Sequence, residues 1–253
     1  MPEERTFPGS LQNVPEATWT RLSNNTIFFG HQSVGFNIID GIEDLMSTNS
    51  QIRLNIVETD APADFTTSVF AHARVGSNRD PQSKMDAFAT ALERGIGDKA
   101  DVAFFKLCYV DIVAETDVQG VFAVYKNTMS LLKKKHPRIT FVHVTVPLTY
   151  TKETVKTWIK KITGRTQSLE YDNNVARNQF NDLLRKEYGR KEPIFDLAMI
   201  ESTSPDGTRH TFSKDGNTYY SLISAYSNDG GHLNQFGRRM VAQHLLLFLA
   251  SLS

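Results

Sequence analysis

Ser33 is the residue around which this sequence can do chemistry. It stands in Phe28-Phe29-Gly30-His31-Gln32-Ser33-Val34-Gly35. The apolar run Thr26-Ile27-Phe28-Phe29 reads as a strand, whereas Val34, Ile38, Ile42 and Leu45 recur with a helical period. A serine at that switch lies beside the unpaired N–H groups of a helix start, which favour negative charge. Alone it is a poor nucleophile and needs a base. Asp229-Gly230-Gly231-His232, near the other end of the chain, can supply one. An aspartate three residues before a histidine, in a glycine-containing turn, can hold the ring's tautomer and stabilise its positive form. The expected chemistry is acyl transfer, with Ser33 attacking, His232 moving the proton and Asp229 orienting His232. The developing oxyanion needs donors: the Ser33 N–H, the N–H of Gly76, where glycine allows close approach, and the Asn78 side-chain amide.

Each residue also has a plainer reading. Ser33 can be a helix cap, Asp229-x-x-His232 a helix cap or a metal site, and Gly76 a turn glycine. Their order along the chain, each beside a strand end or before the last helix, is harder to explain by caps alone. His143 reads as a core histidine in mid-strand, and Cys108 as a buried thiol.

The elements that must position these residues alternate. Strands are expected at Thr26–Phe29, Gln51–Thr59, Val102–Leu107, Ile139–Val146 and Ile194–Asp196. Helical stripes run through Val34–Met46, Met85–Leu92, Val118–Leu132, Ala176–Leu184 and Asn234–Leu249. Asp60–Asp80 reads as a long loop that ends in a cap with proline behind it, Asp80-Pro81. Lys133-Lys134-Lys135 suits the C-terminal end of a helix. This alternation predicts a parallel, doubly wound α/β sheet, whose ligands bind off the carboxyl ends of the strands.

Composition narrows the function classes. Lysine plus arginine equals aspartate plus glutamate at 28 each in 253 residues, so no net field draws nucleic acid or an anionic membrane. No apolar run approaches the roughly 20 residues of a membrane helix. Cys108 is the only cysteine, which excludes an intrachain disulfide and fits a cytosolic or a disulfide-independent exported protein. The start, Met1-Pro2-Glu3-Glu4-Arg5, does not read as a signal peptide. Nothing in the sequence reports the oligomeric state.

With these residues in hand, the chain resembles the SGNH hydrolases, the GDSL-type lipase and esterase superfamily, and within it a divergent carbohydrate-esterase-like branch. Asp229-Gly230-Gly231-His232-Leu233-Asn234-Gln235-Phe236-Gly237 is the strongest match. Two blocks depart from the family pattern. The usual Gly-Asp-Ser is Gly30-His31-Gln32-Ser33, with one extra residue. The usual Gly-x-Asn-Asp is Cys108-Tyr109-Val110-Asp111, which puts a valine at the oxyanion asparagine. Asn78 is expected to take over that role. The resemblance implies a flavodoxin-like three-layer α/β/α sandwich with a parallel sheet of about five strands. It also implies one domain over 26–253 behind a lead-in at 1–25, with insertions at about 147–170 and 201–228. It implies hydrolysis of a small acyl ester, acetyl on a carbohydrate, by Ser33, His232 and Asp229, with no metal and no organic cofactor. His31, Gln32 and Tyr109 are the side chains expected at the substrate, and for His31 a structural role in place of the missing aspartate is favoured. Two rivals are a catalytically silent carbohydrate-binding relative, for which Val110 speaks, and a metal-dependent phosphoesterase built on Asp229, His232 and His31.

Overall fold

The computed structural model describes residues 10–151 and 169–253. Most of the insertion expected at 147–170 therefore lies outside the described residues. A six-stranded sheet forms the middle layer, in the order β2-β3-β1-β4-β5-β6. The strands are β1 (Ile27–His31), β2 (Ile56–Glu58), β3 (Phe70–Arg74), β4 (Val102–Phe105), β5 (Thr140–Val144) and β6 (Ile194–Phe195). Every pairing between them is parallel. All five residues of β1 are buried, as expected of a strand covered on both faces.

The strand beside β1 corrects the reading of Asp60–Asp80 as loop. It is β3, Phe70-Ala71-His72-Ala73-Arg74, paired from Ile27↔Phe70 to His31↔Arg74. Two alanines, a histidine and an arginine carry little strand preference of their own. Their place next to the central strand comes from packing: Phe70 to Ala73 are buried and only Arg74 is exposed. The expected strand at 51–59 shrinks to Ile56–Glu58 at the sheet edge. The sheet thus has six strands where about five were expected, and Gly76 follows β3.

One face of the sheet carries α1 (Glu16–Ser23), α2 (Ser33–Thr48), α6 (Leu197–Glu201) and α7 (Gln235–Leu252). Trp19, Ile38, Ile42, Ile200, Val241, Leu245 and Phe248 belong to the core on that side. The other face carries α3 (Pro81–Glu93), α4 (Val118–Lys135) and α5 (Leu169–Tyr188). Phe88, Phe122, Met129, Phe180 and Leu184 pack in the core there. Asp80 Oδ1 accepts from Ser83 N at 3.0 Å and Asp117 Oδ1 from Gly120 N at 3.0 Å, which cap α3 and α4. A hairpin of β7 (Thr211–Lys214) and β8 (Asn217–Tyr220) lies inside the 201–228 segment, turning at Asp215-Gly216.

Helices α2 and α7 pack side by side and start at the same edge of the sheet. Contacts advance together along both: Asn37 with Leu233, Gly41 with Arg238 and Ala242, and Asp44 with Arg238. That shared edge is where β1 and β4 end, and it is where the sheet's connections diverge, β1 leading outward to β2 and β4 toward β5.

Candidate active site

Ser33 is the first residue of α2, after an extended Gln32 at the N-cap that offers no side-chain cap. Its own N–H is one of the orphan donors of the helix start. The Gln32 side chain turns instead to the loop after β3. Its Nε2 donates to Gly76 O at 2.8 Å and to Val75 O at 3.2 Å. The serine turn and the Gly76 loop are therefore fastened together.

Gly76 has φ +55°, in the left-handed region, and it backs directly onto the start of α3. A Cβ there would come within 2.4 Å of Lys84 N and 2.5 Å of the Ser83 carbonyl carbon. Only glycine fits. Its N–H comes one residue after the last bond of the β1–β3 register, Val75 N to His31 O at 3.0 Å. Asn78 follows on the exposed rim of this loop, and its Oδ1 accepts from Lys84 Nζ at 2.9 Å.

His232 and Asp229 form a pair. His232 Nδ1 is 2.6 Å from Asp229 Oδ2, while Asp229 Oδ1 accepts from Gly231 N at 2.9 Å and His232 N at 2.8 Å. Burial pushes the Asp229 carboxyl up. The Gly231 N–H, the His232 ring and the His232 N–H outweigh it and hold the group well below the usual carboxylate range. The carboxylate thus stays ionised, ready to hold an imidazolium. The pair is open, with side-chain exposures of 40% for His232 and 57% for Asp229. The next residue, Leu233, donates its N–H to Asn37 Oδ1 at 3.1 Å. Asn37 stands four residues after Ser33, on the same face of α2. The structure therefore brings the His232 turn onto the face of the helix that Ser33 opens.

Tyr109, after β4, lies against the same turn. Its ring meets the His232 ring edge-on at 5.8 Å. A Cβ on Gly231 would fall 2.9 Å from Tyr109 Cζ, so any larger residue there has to displace the Tyr109 ring. From below, Arg177 Nε donates to the Tyr109 carbonyl at 2.8 Å and the Ile112 carbonyl at 3.1 Å. Burial, then the charge of Asp229, pushes the Tyr109 hydroxyl up, so it remains a neutral donor. The Val110 side chain, next along from Tyr109, offers no donor.

His31 departs from the expected substrate contacts. It is 0% exposed, inside the layer beneath the site. Its Nε2 is 3.0 Å from His72 Nδ1 and its ring packs on Phe29 and Phe36. Burial, then the charge of Lys106, pushes it down to about 3, so it stays neutral. It alternates with Gly30 along β1 and faces the core, in keeping with the structural role favoured for it. Among the described residues no group of three or more His, Cys, Asp or Glu side chains could hold an ion.

Sequence reasoning missed the groups that brace the site. Lys84 and Asp111 form an ion pair at 2.5 Å with both side chains at 0% exposure. Asp111 Oδ2 also accepts from Cys108 N at 2.6 Å and Oδ1 from Arg79 N at 2.8 Å, which ties the third block to the Gly76 loop. Lys106 is fully buried, with Nζ 3.5 Å from Cys108 Sγ, and burial pushes its amine down. The available signal was polar residues standing where helical or strand periodicity calls for apolar ones.

No family model and no curated protein matches the chain. Solved structures do. A Streptococcus pneumonia protein described as a candidate platelet activating factor aligns over 94% of both chains at 13% identity, with a TM-score of 0.52. A candidate lipolytic protein of the G-D-S-L family from Desulfitobacterium hafniense covers 88% of this chain and 98% of its own at 8% identity, TM-score 0.49. A G-D-S-L family member from Veillonella parvula covers 87% of this chain and 95% of its own at 11% identity, TM-score 0.46. This chain shares its fold with the Streptococcus pneumonia protein, helices packed on both faces of a parallel sheet. In that fold, Ser33 follows the central strand and Asp229-x-x-His232 precedes the last helix.

Proposed function

We propose that this protein is a serine ester hydrolase of SGNH type. Ser33 attacks the ester carbonyl as His232 takes its proton. His232 then returns that proton to the leaving alcohol, and water releases the acyl group by the same route. Asp229 orients His232 through Nδ1, leaving Nε2 for the serine. The Ser33 and Gly76 N–H groups, with the Asn78 amide, receive the oxyanion. The observation that carries this reading is the Asp229–His232 pair, docked through Leu233 N and Asn37 onto the helix that begins with Ser33.

The substrate is a small acyl ester, acetyl in the first instance, on a carbohydrate alcohol. The open His232–Asp229 pair supports this, because a bulky alcohol can remain outside while only the acyl end meets Ser33. Tyr109, edge-on to His232, and Gln32 at the serine turn are the side chains that contact it.

The test is hydrolysis of an aryl acetate and of an acetylated sugar by wild type and by Ser33→Ala, with and without chelator. Chelator-insensitive turnover that disappears in Ser33→Ala, together with labelling of Ser33 by a serine-directed phosphonate, is the expected result. Val110 favours a second reading, a catalytically silent carbohydrate-binding protein. Sugar binding without turnover in the wild type would establish it.

A further inference from the structure

We infer that Lys84 is the positioning residue of the oxyanion hole: it holds the Asn78 amide in the one orientation that presents a donor to the substrate. The inference rests on the hydrolase reading above and deepens it. An asparagine amide has an acceptor end and a donor end, and only the donor end can stabilise an oxyanion. On an exposed loop both orientations are open unless a partner selects one. Here Lys84 Nζ sits 2.9 Å from Asn78 Oδ1. A lysine side chain offers donors only, so it engages the oxygen and leaves the Nδ2 hydrogens on the other side of the amide.

Lys84 is itself held without freedom. Its side chain is 0% exposed, on the first turns of α3, and its charge is met by Asp111, also 0% exposed, at 2.5 Å. Asp111 in turn grips Cys108 N and Arg79 N. Gly76 presses on the Lys84 backbone, and Ser77 N donates to Ser83 Oγ at 2.9 Å, so the loop is moulded on the helix that carries Lys84. A buried ion pair is an expensive way to gain stability, since an apolar pair of similar volume often does as well. Its use here is to place a fixed cation behind Asn78. This compensates for Val110, which cannot donate.

A double-mutant cycle on Asn78 and Lys84 tests this, with turnover of an aryl acetate normalised to folded protein by calorimetry. Asn78→Asp keeps an oxygen for Lys84 but removes the donor, and should lower kcat about 10²-fold with KM and melting temperature little changed. Lys84→Met should lower kcat by at least about 10-fold. The same change in the Asn78→Asp background should cost almost nothing, because the two act as one unit. Losses that multiply, or full kcat per folded molecule in Lys84→Met, would overturn the role of Lys84. Where Lys84→Met fails to fold with Asp111 left unpaired, Lys84→Met/Asp111→Leu removes both charges and is read in the same cycle. Full kcat in Asn78→Asp would instead remove Asn78 from the oxyanion hole, and loss of activity in Ser33→Ala separates either result from failure of the hydrolase reading.

Discussion

At the scale of single residues, the site depends on a few contacts with little slack. In the proposed mechanism Ser33 and His232 act as one catalytic unit, so Ser33→Ala, His232→Ala and the double variant should each lose on the order of 10³-fold or more in kcat, without additivity. Multiplicative losses in the double variant would show that His232 does not serve Ser33. Gly231 gives a more local test. A Cβ there meets the Tyr109 ring at 2.9 Å, while the Asp229–His232 hydrogen bond itself needs no glycine at this position. Gly231→Ala should displace Tyr109 and lower kcat/KM for the sugar ester more than for the aryl acetate. Equal losses on both substrates would show that Tyr109 makes no contact with the alcohol.

At the scale of elements, α5 behaves as a polar clamp. Asn181 Oδ1 accepts from Val146 N at 2.7 Å and its Nδ2 donates to Val146 O at 2.9 Å. Asn174 does the same with Thr149, at 3.0 and 2.6 Å, and Asn178 with Tyr220, at 3.1 and 2.9 Å. At Val146 and Thr149, beyond the end of β5, the amide mimics a strand partner and satisfies buried backbone that would otherwise be orphaned, and at Tyr220 it pairs the end of β8. Asn181→Leu keeps the branched outline of the side chain but strands the donor and the acceptor of Val146. It should destabilise by about 1–3 kcal/mol, seen as a lower urea midpoint with unchanged slope. A loss of under about 0.5 kcal/mol would mean that water replaces the amide.

At the scale of the whole molecule, buried histidines set the response to pH. Burial, then Lys106, pushes His31 down to about 3 from 6.5, and burial lowers His72, His143 and His244 as well. These groups bind protons in the unfolded chain before they do in the folded one. Their contribution is complete above about pH 6.5 and is lost as the pH falls toward their folded values. Lys106, pushed down by burial, acts in the same sense over its own range. Glu201 acts oppositely. Burial raises it to about 8, so over pH 4.5 to 8 it is protonated when folded and ionised when unfolded, and its contribution falls as pH rises. Stability by urea unfolding should therefore decrease from pH 7 to pH 5, by up to about 1.4 kcal/mol per pH unit for each proton taken up. Glu201→Gln should steepen that decline. A flat profile, or a Glu201→Gln profile parallel to wild type, would contradict these assignments.

What the sequence determined by itself was local. The Asp229–His232 pair spans three residues, the Asp80 cap three more, and the switch from strand to helix at Ser33 is written in the change of apolar period. Such features rest on nearby backbone geometry, so spacing alone specifies them. The tertiary structure decided whatever depends on residues far apart in the chain. Phe70–Arg74 became the strand beside β1 only because Asn55, Val69 and their neighbours deliver it there between β2 and β1. His31 turned inward because His72 lies 41 residues later on the adjoining strand. Lys84 reads as an ordinary helix lysine until Asp111 and Asn78 arrive from two other loops and make it part of the site. A buried charge or a weak strand is stable only with its distant partners present, and no short window of sequence contains them.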